Sequence, residues 1–257
     1  MGRIEVDPGE LRTLLRVEAT YGTLPGGSWI DPDAPRPPVG FRVRLPGSWK
    51  DVDLDPATSH GWVRSHVRER VDAAPELARH QRRMRRALGE FLDDCRAQGL
   101  FLLRLLPAEG ADQPEDLVGA SLALAWRRLA GSGRVDVDGL ARSIASTPAA
   151  PGEPATGRAV AVVELPTGPA VHLQTSQLAA APGRAGQRRR TVLSQFLVPV
   201  PGLPWVGMVT AASADRELAD GIDALADGVA SSLEFLPPRS HRGEGTTAAG
   251  AGAERVG

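Results

Sequence analysis

Five histidines, one cysteine and several carboxylate pairs are the side chains of this sequence with the chemistry for catalysis or metal binding, and their spacing tests each class of reaction. His60, His66, His80, His172 and His241 form no His-x-x-x-His and no His-Glu-x-x-His pair, so no helical zinc motif is present. Ser59-His60 and Ser65-His66 put nucleophile and base types side by side. Neighbours on a helix point in different directions, so neither pair makes a dyad, and no Gly-x-Ser-x-Gly elbow occurs elsewhere. Glycine-rich phosphate loops are absent as well. Asp93-Asp94 and Glu115-Asp116 fall at a helix end and in a loop, where carboxylates serve solvation.

Two groups remain as candidate sites. His172 shares a strand face with Gln174 and can meet Gln195 or Ser194 across a sheet, a cluster suited to a small polar ligand. Arg79, Arg82, Arg83 and Arg86 line one side of a helix and suit an acidic protein partner, although arginines on a wet face also pair with carboxylates a turn away. A third basic run, Arg188 to Arg190, lacks the interleaved aromatics of a nucleic-acid surface. No metal or organic cofactor is expected, and the motif census weighs against an enzyme.

Composition narrows the setting. The 257 residues carry 30 basic and 31 acidic side chains, so no whole-chain field draws the protein to nucleic acid or anionic lipid. Lys50 is the lone lysine, a bias of high-GC coding rather than of phosphate recognition. A single cysteine, Cys95, rules out an internal disulfide and any paired-thiolate centre and fits a reducing compartment. No secretory leader pattern and no run near the ~18 apolar residues of a membrane span are visible, and a cytoplasmic location is expected.

Periodicity supplies the elements that must hold these residues. A short helix is expected over Val6 to Leu15, then a Pro/Gly-rich linker from Tyr21 to Val39 with a domain boundary near Gly40. Phe41 to Leu45 alternates as a strand, with Trp49, Val52 and Leu54 continuing the sheet edge. Helices follow over Ser59 to Ala74 and Glu76 to Gln98, the second with Leu77, Met84, Leu88, Phe91, Leu92 and Cys95 in one stripe. Leu100 to Leu106 and Leu117 to Trp126 read as strands and Asp138 to Ser146 as a short helix.

Hairpins are expected over Ala159 to Ser176 and Thr191 to Ala212, separated by a loop from Gln177 to Arg190. A last helix, capped by Ser213 or Asp215, is expected to run to Phe235, with Asp215, Glu217, Asp220, Asp223 and Asp227 on its wet face. This order predicts an α+β fold: an antiparallel sheet of about six strands with helices packed on its faces. Residues 1–40 form an extension, 41–237 the sandwich domain and 238–257 a disordered tail.

FRVRLPGSWKDVDL, VVELPTGPAVHL, and QFLVPVPG with WVGMVTAAS resemble actinobacterial proteins with a PsbP-like sandwich, over Phe41 to Leu236. That resemblance implies a binding or accessory role. The N-terminal IEVDPGELRTLL is similar to the start of small helical proteins exported by type VII secretion, although the helical hairpin of that family is missing and Trp205-x-Gly207 falls in an expected strand. Together these readings lead to a non-enzymatic protein that holds a protein partner, with a link to type VII secretion. The alternative is a small-molecule or lipid carrier, or an enzyme without a familiar motif, with a pocket near His172.

Overall fold

The computed structural model describes residues 15–20, 24, 28–106, 118–131, 133–148, 158–180 and 188–237. The expected short helix lies outside these residues except for Leu15, which opens a strand, and the expected tail beyond 237 lies outside them too. The strands are β1 (Leu15–Thr20), β2 (Gly40–Pro46), β3 (Lys50–Asp51), β4 (Leu100–Leu106), β5 (Ala120–Arg128), β6 (Arg158–Leu165), β7 (Gly168–Ala180), β8 (Arg188–Pro199), β9 (Trp205–Ser213) and β10 (Glu234–Leu236). The four α-helices among the described residues are α1 (Ser59–Ala73), α2 (Gln81–Ala97), α3 (Val137–Ser146) and α4 (Ala219–Ser231).

The expected sheet of about six strands is a seven-stranded antiparallel sheet ordered β3-β4-β5-β9-β8-β7-β6, and a second sheet pairs β1-β2-β10. Helices pack on both faces of the larger one, giving an α+β sandwich. On one face, α4 buries Ile222, Leu225, Ala226 and Val229 with Phe196, Val209 and Ala211, and Phe41, Val43 and Leu45 of β2 complete that core. On the other, α1 and α2 cover Leu103 and Leu105 of β4, while α3 lies against Val171 and Leu197 at the far end. Burial of this apolar area, at about 25 cal/mol per Å², is the main force that holds the layers together.

Gly207 shows how tightly one face of the larger sheet is filled. It sits opposite Trp126 across β5 and β9, and a Cβ there would come within 3.0 Å of the Trp126 ring. Glycine lets the indole lie flat on the strand, where it stacks on Phe101 and meets Phe41 edge-on.

Several expected boundaries move. The helix over Glu76 to Gln98 is interrupted: Pro75–His80 is a 3-10 turn, and the α-helix begins at Gln81. The last helix ends at Ser231 rather than Phe235, because residues 234–236 find backbone partners on β2, with Phe235 opposite Phe41. Its start is also later than either expected cap: Ser213 and Asp215 close turns on the amides of Asp215 and Glu217, ahead of a 3-10 turn over Arg216–Leu218. The loop expected from Gln177 to Arg190 is shorter, since pairing continues to Ala180 opposite Arg188. In the stretch expected as a linker, Trp29 donates its backbone N–H to the Phe101 carbonyl at 3.2 Å, and Ile30 and Val39 pack on the core.

Candidate functional site

The register of β7 against β8 decides which side chains share a face. His172 lies opposite Phe196 and Gln174 opposite Ser194, and strand alternation turns all four to the face that α4 covers. From α4, Asp223 reaches down to them. Its Oδ1 accepts from the Ser194 hydroxyl at 2.7 Å and stands 2.9 Å from His172 Nε2, which is itself 3.0 Å from Ser194 Oγ. The imidazole stacks on Phe196, with centroids 4.2 Å apart and planes 11° from parallel.

These donors hold the Asp223 carboxyl down to about 2: the hydrogen bond from His172 is the largest cause, and those from Gln174 and Ser194 add to it, against the opposing effect of burial. Asp223 is therefore ionised at neutral pH.

Serine, histidine and aspartate are the residue types of an acyl-transfer relay, but the connectivity differs. In a relay the carboxylate holds one ring nitrogen while the other takes the serine proton. Here one nitrogen, Nε2, meets both partners, and the Ser194 hydroxyl donates its hydrogen bond directly to Asp223. Ser194 is only 2% exposed, and its hydroxyl is engaged by Asp223. The triangle is a polar staple between helix and sheet.

Beside it opens a cleft of about 320 Å³, whose walls include Gln174, Ser176, Ser194, Asp220 and Asp223, with Val192 as apolar floor. His172 lies behind Ser194 and does not line it. Gln195, expected with His172, faces the opposite side of the sheet and donates to Thr210 Oγ1 at 2.8 Å, because it pairs with Leu173 and not with His172. A one-residue offset in a strand reverses the face. The residue missed from sequence is Asp223. It was expected on the wet face of the last helix, and only the approach of α4 to the polar patch of β7 and β8 gives it a role.

Arg79, Arg82, Arg83 and Arg86 are all exposed, Arg79 on the 3-10 turn and the others on α2. Arg86 pairs with Glu90 at 2.7 Å, and Arg79 donates to His80 Nε2 at 3.0 Å. Elsewhere, Ser59 Oγ accepts from Arg96 rather than from His60, and Cys95 is buried, which pushes its thiol up to about 12. His66 is buried beneath Lys50 and Glu69 and stacks on Trp62. Arg104, inside the apolar run of β4, is buried too; it donates to Asp51 Oδ1 at 2.7 Å and to the Pro46 carbonyl. Among the described residues no group of three or more His, Cys, Asp or Glu side chains is placed to hold a metal, and no helix is long and apolar enough to cross a membrane.

No protein-family model matches the chain, and no curated protein does. Among solved structures it is similar to LpqN, a protein involved in cell envelope biogenesis of Mycobacterium tuberculosis, at 14% identity and a TM-score of 0.40, over 86% of this chain and 91% of the other. A likeness at that level carries no argument about activity.

Proposed function

We propose that the chain is a non-enzymatic binding or accessory protein whose sandwich, residues 41–237, holds an acidic protein partner on the strip of Arg79, Arg82, Arg83 and Arg86. The observation that supports this reading is that all four arginines are exposed, Arg79 on the 3-10 turn and the other three within about 100° of one another around α2. The pair of Arg86 with Glu90 has side chains 82% and 59% exposed, and so open a pair contributes little and yields readily to a partner carboxylate. A PsbP-like sandwich and a link to type VII secretion belong to the same proposal and rest on the sequence resemblance, and a cytoplasmic location belongs to it on the single cysteine. Affinity capture tests it, with wild type and an Arg82→Glu, Arg83→Glu, Arg86→Glu variant of unchanged circular dichroism as baits. A protein held by wild type in low salt and lost from the variant supports the reading; equal capture by both refutes it.

A second reading is favoured by one observation, the ionised Asp223 carboxylate bordering the 320 Å³ cleft with Asp220. That lining suits a small cationic or hydroxylated molecule. Native mass spectrometry would then show a retained ligand that is lost in Asp220→Asn and in Asp223→Asn.

A further inference from the structure

β6 is one end of the larger sheet, and among the described residues no segment pairs with its outer edge. Edges of this kind are ordinarily blunted by lysine, proline or a bulge. β6 reads RAVAVVEL, with no lysine and no proline, and pairs with β7 without a register shift. Val162 on this strand is 42% exposed and is the one large apolar side chain so exposed among the described residues. The helix above it is also incompletely covered. α3 brings Val137, Leu140, Ala141 and Ile144 toward β6 and β7, yet none of its residues is fully buried.

The backbone polarity of the edge follows from one proline. Glu164 lies opposite Pro169, which has no N–H to exchange, so the hydrogen-bonded pairs are the alternate ones: Ala159, Ala161 and Val163 with Gln174, His172 and Ala170. The N–H and C=O groups of Arg158, Val160, Val162 and Glu164 therefore point away from the sheet. An antiparallel copy of the same strand, related by a two-fold axis through Ala161, would set Arg158 against Glu164, Val160 against Val162, Val162 against Val160 and Glu164 against Arg158. Every outward-pointing residue then meets another outward-pointing one, each pair exchanging both backbone bonds. Both ends carry opposite charges, and the centre joins valines. Shifting the register by two residues in either direction loses the charge pairing.

We infer that two copies of this chain associate edge to edge through β6, in the register that places Arg158 opposite Glu164, joining two seven-stranded sheets into one and bringing the two α3 helices together over the seam. Such an interface is isologous, so each contact occurs twice. Arg158 donates through Nη1 to the Ile144 and Thr147 carbonyls, which anchors the guanidinium beside the edge.

Sedimentation velocity across a concentration series, together with cysteine cross-linking, tests this. Wild type should sediment as a concentration-dependent dimer. Val162→Pro removes only an outward N–H, which an edge strand tolerates, so the variant should keep its circular dichroism and sediment as a monomer. Glu164→Arg should weaken the dimer about tenfold, since two attractive pairs become repulsive, and adding Arg158→Glu should restore it. The exposed Ala161 lies on the two-fold axis, so Ala161→Cys should oxidise to a covalent dimer, whereas Ala159→Cys should not. Buried Cys95 contributes no background. A wild type that stays monomeric at its highest soluble concentration overturns the inference. So does a dimer that survives Val162→Pro, or cross-linking at Ala159 in place of Ala161.

Discussion

Replacing Asp223 by alanine removes the shared acceptor of the helix-to-sheet staple. The Ser194 hydroxyl, almost wholly buried, loses its 2.7 Å acceptor, and His172 Nε2 loses its 2.9 Å one. Leaving a buried donor unsatisfied costs about 1–3 kcal/mol, but the Ser194 hydroxyl can turn to His172 Nε2 at 3.0 Å, so Asp223→Ala should lose about 1–2 kcal/mol. In a chain of this size that lowers Tm by about 4 °C. The pH dependence supplies an independent check. The folded carboxyl titrates at about 2 against an ordinary 3.8, so between these values the unfolded chain binds the extra proton. The contribution is complete above the unfolded value and is lost as pH falls toward the folded one. That shift corresponds to roughly 2 kcal/mol at most, and to about 1 kcal/mol once solvent screening of a side chain 34% exposed is allowed for. Urea unfolding of both proteins should show the gap narrowing by about 0.5 kcal/mol between about pH 5 and pH 3. A variant as stable as wild type at pH 7, or a gap that does not change with pH, would refute the reasoning.

Two further expectations follow from buried titratable groups. His66 is 4% exposed, and its Nε2 has no hydrogen-bond partner among the described residues; burial lowers its pKa first, and the charges of Lys50 and Arg70 lower it further against the opposing charge of Glu69. The neutral ring is the folded form, so its share of stability is present above about pH 6.5 and is lost as pH falls below that, and His66→Phe should flatten the slope of unfolding midpoint against pH from about 6.5 to 5. An unchanged slope counts against this. Cys95, buried with its thiol at about 12, should not react with an aromatic disulfide reagent until urea unfolds the chain; stoichiometric labelling in native buffer would contradict its placement.

Local patterning carried most of the elements. The threes and fours of α1, α2 and α4 and the alternation of β2 are one-dimensional traces of a buried face, and the hairpin of β6 and β7 follows from Pro166-Thr167-Gly168. Boundaries moved where a distant partner won. Residues 234–236 continue a helical period, but β2 offers them a ladder and Trp126 a ring for Phe235, at 6.4 Å between centroids. The 3-10 turn over Pro75–His80 opens on a proline, whose fixed φ suits a first turn.

What the sequence alone determined is the material of the protein: an α+β chain with alternating strands, amphipathic helices, a strip of exposed arginines and a histidine sharing a strand face with Gln174. Tertiary structure decided what those residues meet. Pairing register chose Ser194 over Gln195 as the neighbour of His172, since a step of one residue turns a side chain to the other face. The descent of α4 onto that face turned Asp223 from an expected solvent carboxylate into a charge that ties the helix to Ser194 and His172 of the sheet. Strand order placed the valines of β6 at the end of the sheet instead of inside it. Periodicity records which side of an element is buried, but contact between elements depends on long-range geometry that no local pattern encodes.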